Sequence, residues 1–339
     1  MPATVQPGPG SEEFALLADQ FRPELLAHCY RMLGSVQDAE DQVQETLLRA
    51  WRSYGSFEGR SSLRTWLYRI ATNACLRAME NRERRPLPSG LGAPDDDPAG
   101  PVAPPVSEVS WLEPFPDALL RPESADPATV AAARSGLRLA LIAALQQLPA
   151  RQRTVLILRD VLGWRAAEAA ALLGVSVTAV NSALQGARGQ LRQAVPAADE
   201  IREPASQADR AVLDRYAAAV ESADVAALVE LLHEDATFEM PPMPMWFHGR
   251  DNIGRFLGTR VLTSPGVFTP VPAAANGQPA LAIYRRAEDG TRRAYGIQVL
   301  TLRDSRVAGV VAFLDPGLFP AFGLTPELPA AGPSVAPGQ

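Results

Sequence analysis

Residues 87 to 130 include the run PSGLGAPDDDPAGPVAPP, and no single compact domain can be built through it. Each proline fixes φ and removes a backbone donor, the glycines are costly to order, and the aspartates resist burial. The segment reads as a linker, too polar and too often broken by proline to fold alone. It splits the 339-residue chain into two or three domains. One island inside it, Trp111-Leu112-Glu113-Pro114-Phe115-Pro116, is apolar enough to dock on something.

Charge follows the same division. The net charge of -6 argues weakly against a nucleic-acid binder, but the charge is unevenly placed. Arg60 to Arg85 holds seven Arg against Glu80 and Glu83, and Arg151 to Arg192 holds six Arg against Asp160 and Glu168. Between them, Leu87 to Val130 carries eight acids and only Arg121. Two basic blocks separated by an acidic spacer call for a better explanation than an acidic protein. Lysine is absent, which genomic base composition explains more readily, although arginine also suits phosphate and base-edge contacts.

Residues 14 to 86 read as helices. Ala39, Val43, Leu47 and Ala50 recur at helical spacing, with Asp38, Glu40, Asp41 and Glu45 near the start of the run, where acids suit the positive helix end. A second helix over roughly Ser62 to Arg82 carries Leu63, Trp66, Leu67, Ile70, Ala71 and Ala74 on one face, which makes a core aromatic one reading of Trp66. Residues 131 to 195 are helical again. There a helix from about Arg165 to Leu173 ends at Gly174, Ser176 is placed to cap the next, and that one buries Val180, Leu184, Ala187 and Leu191. This is a helix-turn-helix pattern. Thr178, Asn181, Ser182, Gln185 and Arg188 are left facing outward, where they can read base edges and hold phosphates. Gly186 and Gly189 are unfavourable in such a helix, at about 1 kcal/mol each. An ordinary pair of packed helices would show the same pattern.

From about Ala205 the texture changes to α+β. A helical start, Ala211 to Leu232, gives way to alternating runs, with Asn276-Gly277 and Asp289-Gly290 as hairpin signals and strands at Tyr295 to Leu302 and Val307 to Phe313 around Asp304-Ser305. The end from Pro326, residues 326 to 339, reads as a disordered tail. Cys29 and Cys75 make neither a disulfide framework nor a metal cluster and read as buried thiols. No apolar run of membrane-spanning length and no secretion signal is visible, so a cytoplasmic protein without membrane contact is expected. No metal or cofactor is expected.

DAEDQVQETLLRAW (Asp38 to Trp51) and FEGRSSLRTWLYRIATNACLR (Phe57 to Arg77) closely resemble the core-binding and promoter-melting region of extracytoplasmic-function sigma factors. LPARQRTVLILRDVLGWRAAEAAALLGVSVTAVNSALQGAR (Leu148 to Arg188) resembles their C-terminal promoter-binding region. The resemblance implies a first all-α sigma domain over 14 to 86 that binds core RNA polymerase and the −10 element. It implies a linker over 87 to 130 that threads the polymerase cleft, beside the alternative of a plain solvated tether. A second all-α domain over 131 to 195, the helix-turn-helix, would bind the −35 element. It further implies that Asp38, Glu40, Asp41, Gln44 and Glu45 meet the clamp of the largest polymerase subunit. Trp66 and Asn73 would form a pocket for an unstacked −10 base, with Arg60, Arg64, Arg69 and Arg77 on phosphates. Thr178, Asn181, Ser182, Gln185 and Arg188 would face the −35 element. Gln185-Gly186 departs from the more basic recognition helices usual in the family, which bears on the strength of that contact.

LDRYAAAVESADVAALVELLHEDATFEMPPMPMWFHGRDNIGRFL (Leu213 to Leu257) resembles the SnoaL-like family, an α+β cone with a curved antiparallel sheet around a pocket. A cone over 205 to 325 is similar to that of a subset of these sigma factors in which it regulates the sigma module in cis. The resemblance gives Trp111, Leu112 and Phe115 as regulatory contacts. His233, Asp235, Glu239, His248 and Asp251 are the acid–base candidates if the cone were an enzyme; Asp235 reads equally as a turn residue and Asp251 as a helix cap. The expected function is a non-enzymatic sigma factor with core RNA polymerase and promoter DNA as partners. A small-molecule ligand for the cone stays open. So do two other classes: a DNA-binding activator, and a SnoaL-like enzyme fused to a helix-turn-helix module.

Overall fold

The computed structural model describes residues 14, 17–59, 61–80, 84–120, 136–194 and 207–328. The chain falls into two compact units: Met1–Arg85 with Leu119–Pro196, and Pro86–Ala118 with Ala197–Gln339.

The first unit is helical. Helix α1 (Arg22–Leu33) has a proline in its first turn and stops at Gly34, whose φ of 72° lets its amide return to the Tyr30 carbonyl. Ser35 then caps α2 (Val36–Ser53), its hydroxyl accepting from the Asp38 amide at 3.1 Å. Helix α3 (Leu63–Glu80) packs on both. Leu25, Cys29, Met32, Val43, Leu67 and Cys75 fill the space between them. Both cysteines are free and buried, as expected, and burial beside Cys29 pushes the Cys75 thiol well up.

Two polar devices hold this unit. Thr72 Oγ1 donates to the Tyr68 carbonyl at 2.7 Å, which commits its one proton. His28 Nε2, 3.0 Å from that oxygen, must therefore carry the hydrogen and donate. The ring is fully buried, and desolvation lowers its pKa from 6.5 to about 3. The second device comes from the later helices α4 (Leu139–Gln147) and α5 (Ala150–Leu156). The buried Arg153 guanidinium donates to the carbonyls of Met32, Gln146 and Leu148 and to Gln146 Oε1. Gln146 in turn donates to the Arg31 carbonyl. Arg153 thus joins the end of α1 to the α4–α5 corner through neutral acceptors, and burial lowers its pKa to about 10.

Helix α5 widens into a looser turn at Ile157–Val161, then α6 (Ala166–Leu173) and α7 (Val177–Ala194) follow. The turn between them is built as the spacing predicts: Gly174 sits at φ 64° and Ser176 Oγ accepts from the Ala179 amide at 3.1 Å. Val180, Leu184 and Ala187 are buried, with Leu191 half-buried.

In the second unit, α8 (Gln207–Ser222) and α9 (Val225–Leu231) replace the single helix expected over Ala211 to Leu232. The break falls where Ala223 takes φ 56° and the Asp224 carboxylate caps the next helix through the Ala227 amide. The strands are β1 (Leu232–Glu239), β2 (Trp246–His248), β3 (Phe268–Ala275), β4 (Gln278–Arg286), β5 (Arg292–Arg303), β6 (Arg306–Phe313) and β7 (Glu327–Leu328), with α10 (Arg250–Phe256) after β2. They form one sheet in the order β2-β1-β6-β5-β4-β3, with β7 on β5. All pairings are antiparallel except β1 with β6, so the sheet is mixed. Asn276-Gly277 and Asp304-Ser305 have positive φ at both residues, the geometry a two-residue hairpin needs. The reading of everything past Pro326 as a disordered tail is corrected at its start. Glu327 and Leu328 pair with Arg293 and Arg292, and the Ala294 amide reaches the Pro326 carbonyl at 2.8 Å. Residues 329–339 lie outside the described part, as do 121–135.

Two measurements follow from these elements. In the unfolded chain His28 takes a proton near pH 6.5, whereas in the fold it does so only near pH 3, so stability is lost as pH falls through that window. Urea melts should show the wild type losing about 2 kcal/mol more than His28→Gln between about pH 6.5 and pH 5. Gly189 lies inside α7 with open space where a Cβ would stand. Gly189→Ala should therefore stabilise the helical unit by about 0.5–1 kcal/mol in the same melts.

Candidate nucleic-acid interface and a strapped cone

Three helix surfaces and one strapped cone carry the candidate residues. On α3, Trp66, Arg69, Asn73 and Arg77 are spaced three, four and four, which puts them on one stripe. Arg69 and Arg77 are exposed, and among the described residues neither is held by an ion pair. Asn73 is half-buried, and so is Trp66, which the spacing put on one face with the buried Leu67 and Ala71. The Trp66 ring lies 4.8 Å from Phe57, which stacks at 6.3 Å on Tyr54, so the stripe ends in an aromatic shelf. Such a surface offers ring faces for unstacked bases, an amide for their edges and guanidinium groups for the backbone. Arg64 is placed differently. Its guanidinium grips the Glu24 carboxylate at 2.7–3.0 Å and lies 4.9 Å over the Tyr68 ring, which ties α3 to α1. Arg60 lies outside the described residues.

On α2, Glu40, Asp41, Gln44 and Glu45 are exposed or half-exposed. Asp38, expected on this face, is instead turned inward and paired with Arg85 at 2.6 Å, with both side chains largely buried. Its place in the first turn after the Ser35 cap points its carboxylate back along the chain. Glu45 pairs with Arg49 one turn on. The residues sequence reasoning missed here are Leu48 and Trp51, which continue the Asp41–Gln44 stripe and are 41% and 36% exposed. Their signal was available: neither fits the Ala39–Val43–Leu47–Ala50 core face.

On α7, Thr178, Asn181, Ser182, Gln185 and Arg188 all face solvent on one side. The Arg188 guanidinium meets both oxygens of Asp160 at 2.6 and 2.8 Å. The pair is exposed, so water and salt weaken it.

The segment expected as a linker is the largest departure. Residues 86–118 belong to the cone's unit and are strapped to it along their length. The Ser89 amide donates to the buried Glu239 carboxylate at 2.9 Å; burial pushes that carboxyl up while the Ser89 bond opposes the rise. Trp246 Nε1 donates to the Gly92 carbonyl and Trp246 accepts from the Asp95 amide. Arg260 holds the Ala99 carbonyl, the Ala103 amide reaches Met245 Sδ at 3.3 Å, and the Val106 amide reaches the Pro242 carbonyl at 3.0 Å. At the far end Asn276 clamps Phe115 from both sides. Its Oδ1 accepts from the Phe115 amide and its own amide donates to the Phe115 carbonyl, each at 2.8 Å. The Gly277 amide adds a bond to the buried Asp117 carboxylate at 2.8 Å. Leu112 and Phe115 are fully buried, while Trp111 is half-buried and donates to the Val106 carbonyl. The strap folds only because the cone supplies partners for its backbone, which explains why its composition reads as unstructured.

The cone encloses a cavity of about 150 Å³. The acid–base candidates do not line it. His233, Asp235 and Arg303 form an ion cluster at the outer strand ends, and Glu239 is taken by the strap. His248 is exposed. Asp251 does not cap α10, because Gly249 occupies that position; Asp235 lies within β1 rather than in a turn. Among the described residues, no group of carboxylate, histidine and cysteine side chains could hold a metal, and no single helix is long and apolar enough to cross a membrane.

Asn276→Gly keeps the turn but removes the Oδ1 acceptor from the buried Phe115 amide. Exchange of backbone amides around 111–118 should accelerate roughly tenfold or more, for a loss of about 1–3 kcal/mol.

Residues 17–85 match the family model described as Sigma-70 region 2, residues 138–191 that of Sigma-70, region 4, and residues 213–310 that of a SnoaL-like domain. The ECF RNA polymerase sigma factor SigG of Mycobacterium tuberculosis strain H37Rv is 51% identical over 318 residues, 93% of this chain and 85% of the relative. The ECF RNA polymerase sigma factor SigJ of the same strain is 29% identical over 314 residues, 89% of this chain and 91% of the relative. The crystal structure of Mycobacterium tuberculosis SigJ superposes with a TM-score of 0.60 at 23% identity, over 92% of this chain and 99% of that one, a likeness of fold.

Proposed function

This chain belongs to the extracytoplasmic-function RNA polymerase sigma factors, and on that premise we propose how its parts divide the work of initiation. As a sigma factor it partners core RNA polymerase and promoter DNA, and it carries a SnoaL-like domain fused behind its two sigma regions.

The α3 stripe takes the −10 element. Trp66 and the aromatic shelf beside it receive an unstacked base, Asn73 reads its edge, and Arg69 and Arg77 hold the flanking phosphates. The observation that carries this reading is that these four side chains share one outward face while the apolar residues of α3 turn inward. Glu40, Asp41, Gln44 and Glu45, with Leu48 and Trp51, form the surface for the polymerase clamp; a polar rim around two exposed apolar side chains suits a protein partner. Thr178, Asn181, Ser182 and Gln185 face the −35 element, and Arg188 exchanges Asp160 for a phosphate.

The elements named −10 and −35 lie more than two helical turns apart, roughly 80 Å at 3.4 Å per step. The helices that would read them share the Arg153 junction, so initiation opens that junction. The cone acts in cis by holding the strap that links the two sigma regions, through Leu112 and Phe115 with Trp111 beside them. It works without catalysis of its own, which the position of its acid–base side chains away from the cavity supports, and a small molecule in that cavity is its input.

Run-off transcription with core polymerase tests the division. Base stacking is worth about 1–3 kcal/mol, so Trp66→Ala should lower open-complex formation about tenfold or more, with Asn73→Ala in the same direction. Binding of core polymerase should stay unchanged in both. Wild-type promoter opening by Trp66→Ala would remove the −10 assignment.

A further inference from the structure

We infer that the cavity of the cone is a binding site for a neutral, single-ring organic molecule carrying one hydroxyl or carbonyl oxygen, with the strap as its lid. The inference rests on the cis-acting reading of the cone for its biological sense, though binding itself does not require it.

The size sets the ligand class. A cavity of about 150 Å³ accommodates one benzene ring. The wall is aliphatic and aromatic, with Leu228, Phe238, Phe256 and Ile283 among its residues. Met240 and Met243 also line it, and their flexible thioethers adapt to a ring edge. No carboxylate or histidine lines the cavity, and its one charged lining residue, the exposed Arg260, is bound to the Ala99 carbonyl of the strap, so the apolar depth suits a neutral guest.

One polar feature fixes the orientation. The Tyr216 hydroxyl, on a fully buried side chain, makes a long bond of 3.3 Å to Gln298 Oε1. That leaves the Gln298 amide as donor and the Tyr216 oxygen as acceptor, side by side in the cavity wall. A guest oxygen placed there gains a donor, and a guest hydroxyl gains an acceptor as well. This pair asks for one oxygen and no more.

The lid is the third observation. Val102, from the strap, lines the cavity together with Arg260, and Arg260 also holds the Ala99 carbonyl. The Ala103 amide is bound to Met245 on the cone at 3.3 Å. The strap from Ala99 to Ala103 therefore crosses the mouth. A single ring fills the void beneath Val102 and adds apolar contact to it, so occupancy fastens the strap to the cone. A larger guest would have to lift Val102.

p-Cresol added to the full-length chain is the test, read by calorimetry and by amide exchange. One saturable site is expected, with exchange of the segment spanning 99–106 slowed several-fold at saturation. Toluene, which lacks the hydroxyl, should bind about tenfold more weakly. Gln298→Leu should erase that preference, and Tyr216→Phe should reduce it if Gln298→Leu fails to fold. Absence of saturable binding by natively folded protein overturns the site. Equal affinity for p-cresol and toluene overturns the polar handle, and faster exchange of 99–106 overturns the lid. If binding holds while removal of the cone leaves run-off transcription unchanged, the regulatory reading fails and the site stands.

Discussion

The clamp of Asn276 on Phe115 is the contact on which the organisation of the chain turns. A segment of prolines, glycines and aspartates has too little apolar surface to offset the entropy of ordering itself. It is ordered here because the cone meets its amides and carbonyls one after another and buries Leu112 and Phe115 at its end. The strap leaves the first sigma region at Arg85 and returns to the helical unit at Leu119. Whatever holds the strap therefore holds the tether between the two DNA-reading modules. The proposed action of the fused cone on initiation needs no more than this covalent link, and no DNA-binding side chain has to be covered for it.

The helical unit separates its polar groups by task. Those that serve the fold are tied within the unit: His28 on Thr72 and Asp38 on Arg85 inside it, and Arg64 on Glu24 nearer its surface. Those left on the outer faces of α2, α3 and α7 are the ones proposed to meet polymerase and promoter. The division runs through single helices. Arg64 and Arg69 are five residues apart on α3 and both exposed, yet one is bound to Glu24 of α1 and the other, among the described residues, makes no ion pair.

The helices of both sigma regions were legible in the sequence because their signals are local: the glycine at the end of α1 and of α6, the serine before α2 and α7, and apolar residues at helical spacing. The hairpin turns at Asn276-Gly277 and Asp304-Ser305 were legible for the same reason. The family resemblance also gave the candidate surfaces, since its motifs fall on exposed stripes. What could not be read was long-range. Nothing near Asp38 announces that Arg85 will neutralise it, and nothing near Asn276 announces a partner at Phe115. The break at Ala223 was missed because alanine, the best helix former, takes a left-handed conformation there so that Asp224 can begin a new helix. The parallel pairing of β1 with β6 was equally hidden, because alternation specifies a strand and not its neighbour.

The chemistry of the Arg153 junction sets how the protein responds to its ionic surroundings. Its acceptors are carbonyl oxygens, and the group is sealed from solvent, so mobile ions hardly touch it. Promoter affinity behaves in the opposite way, because every phosphate neutralised by an arginine releases condensed counterions and weakens steeply as electrolyte rises. Rising salt thus weakens arginine–phosphate contacts and leaves the Arg153 hydrogen bonds untouched. For a sigma factor that opens this junction to bind its promoter, as proposed above, salt releases the DNA and leaves the latch intact.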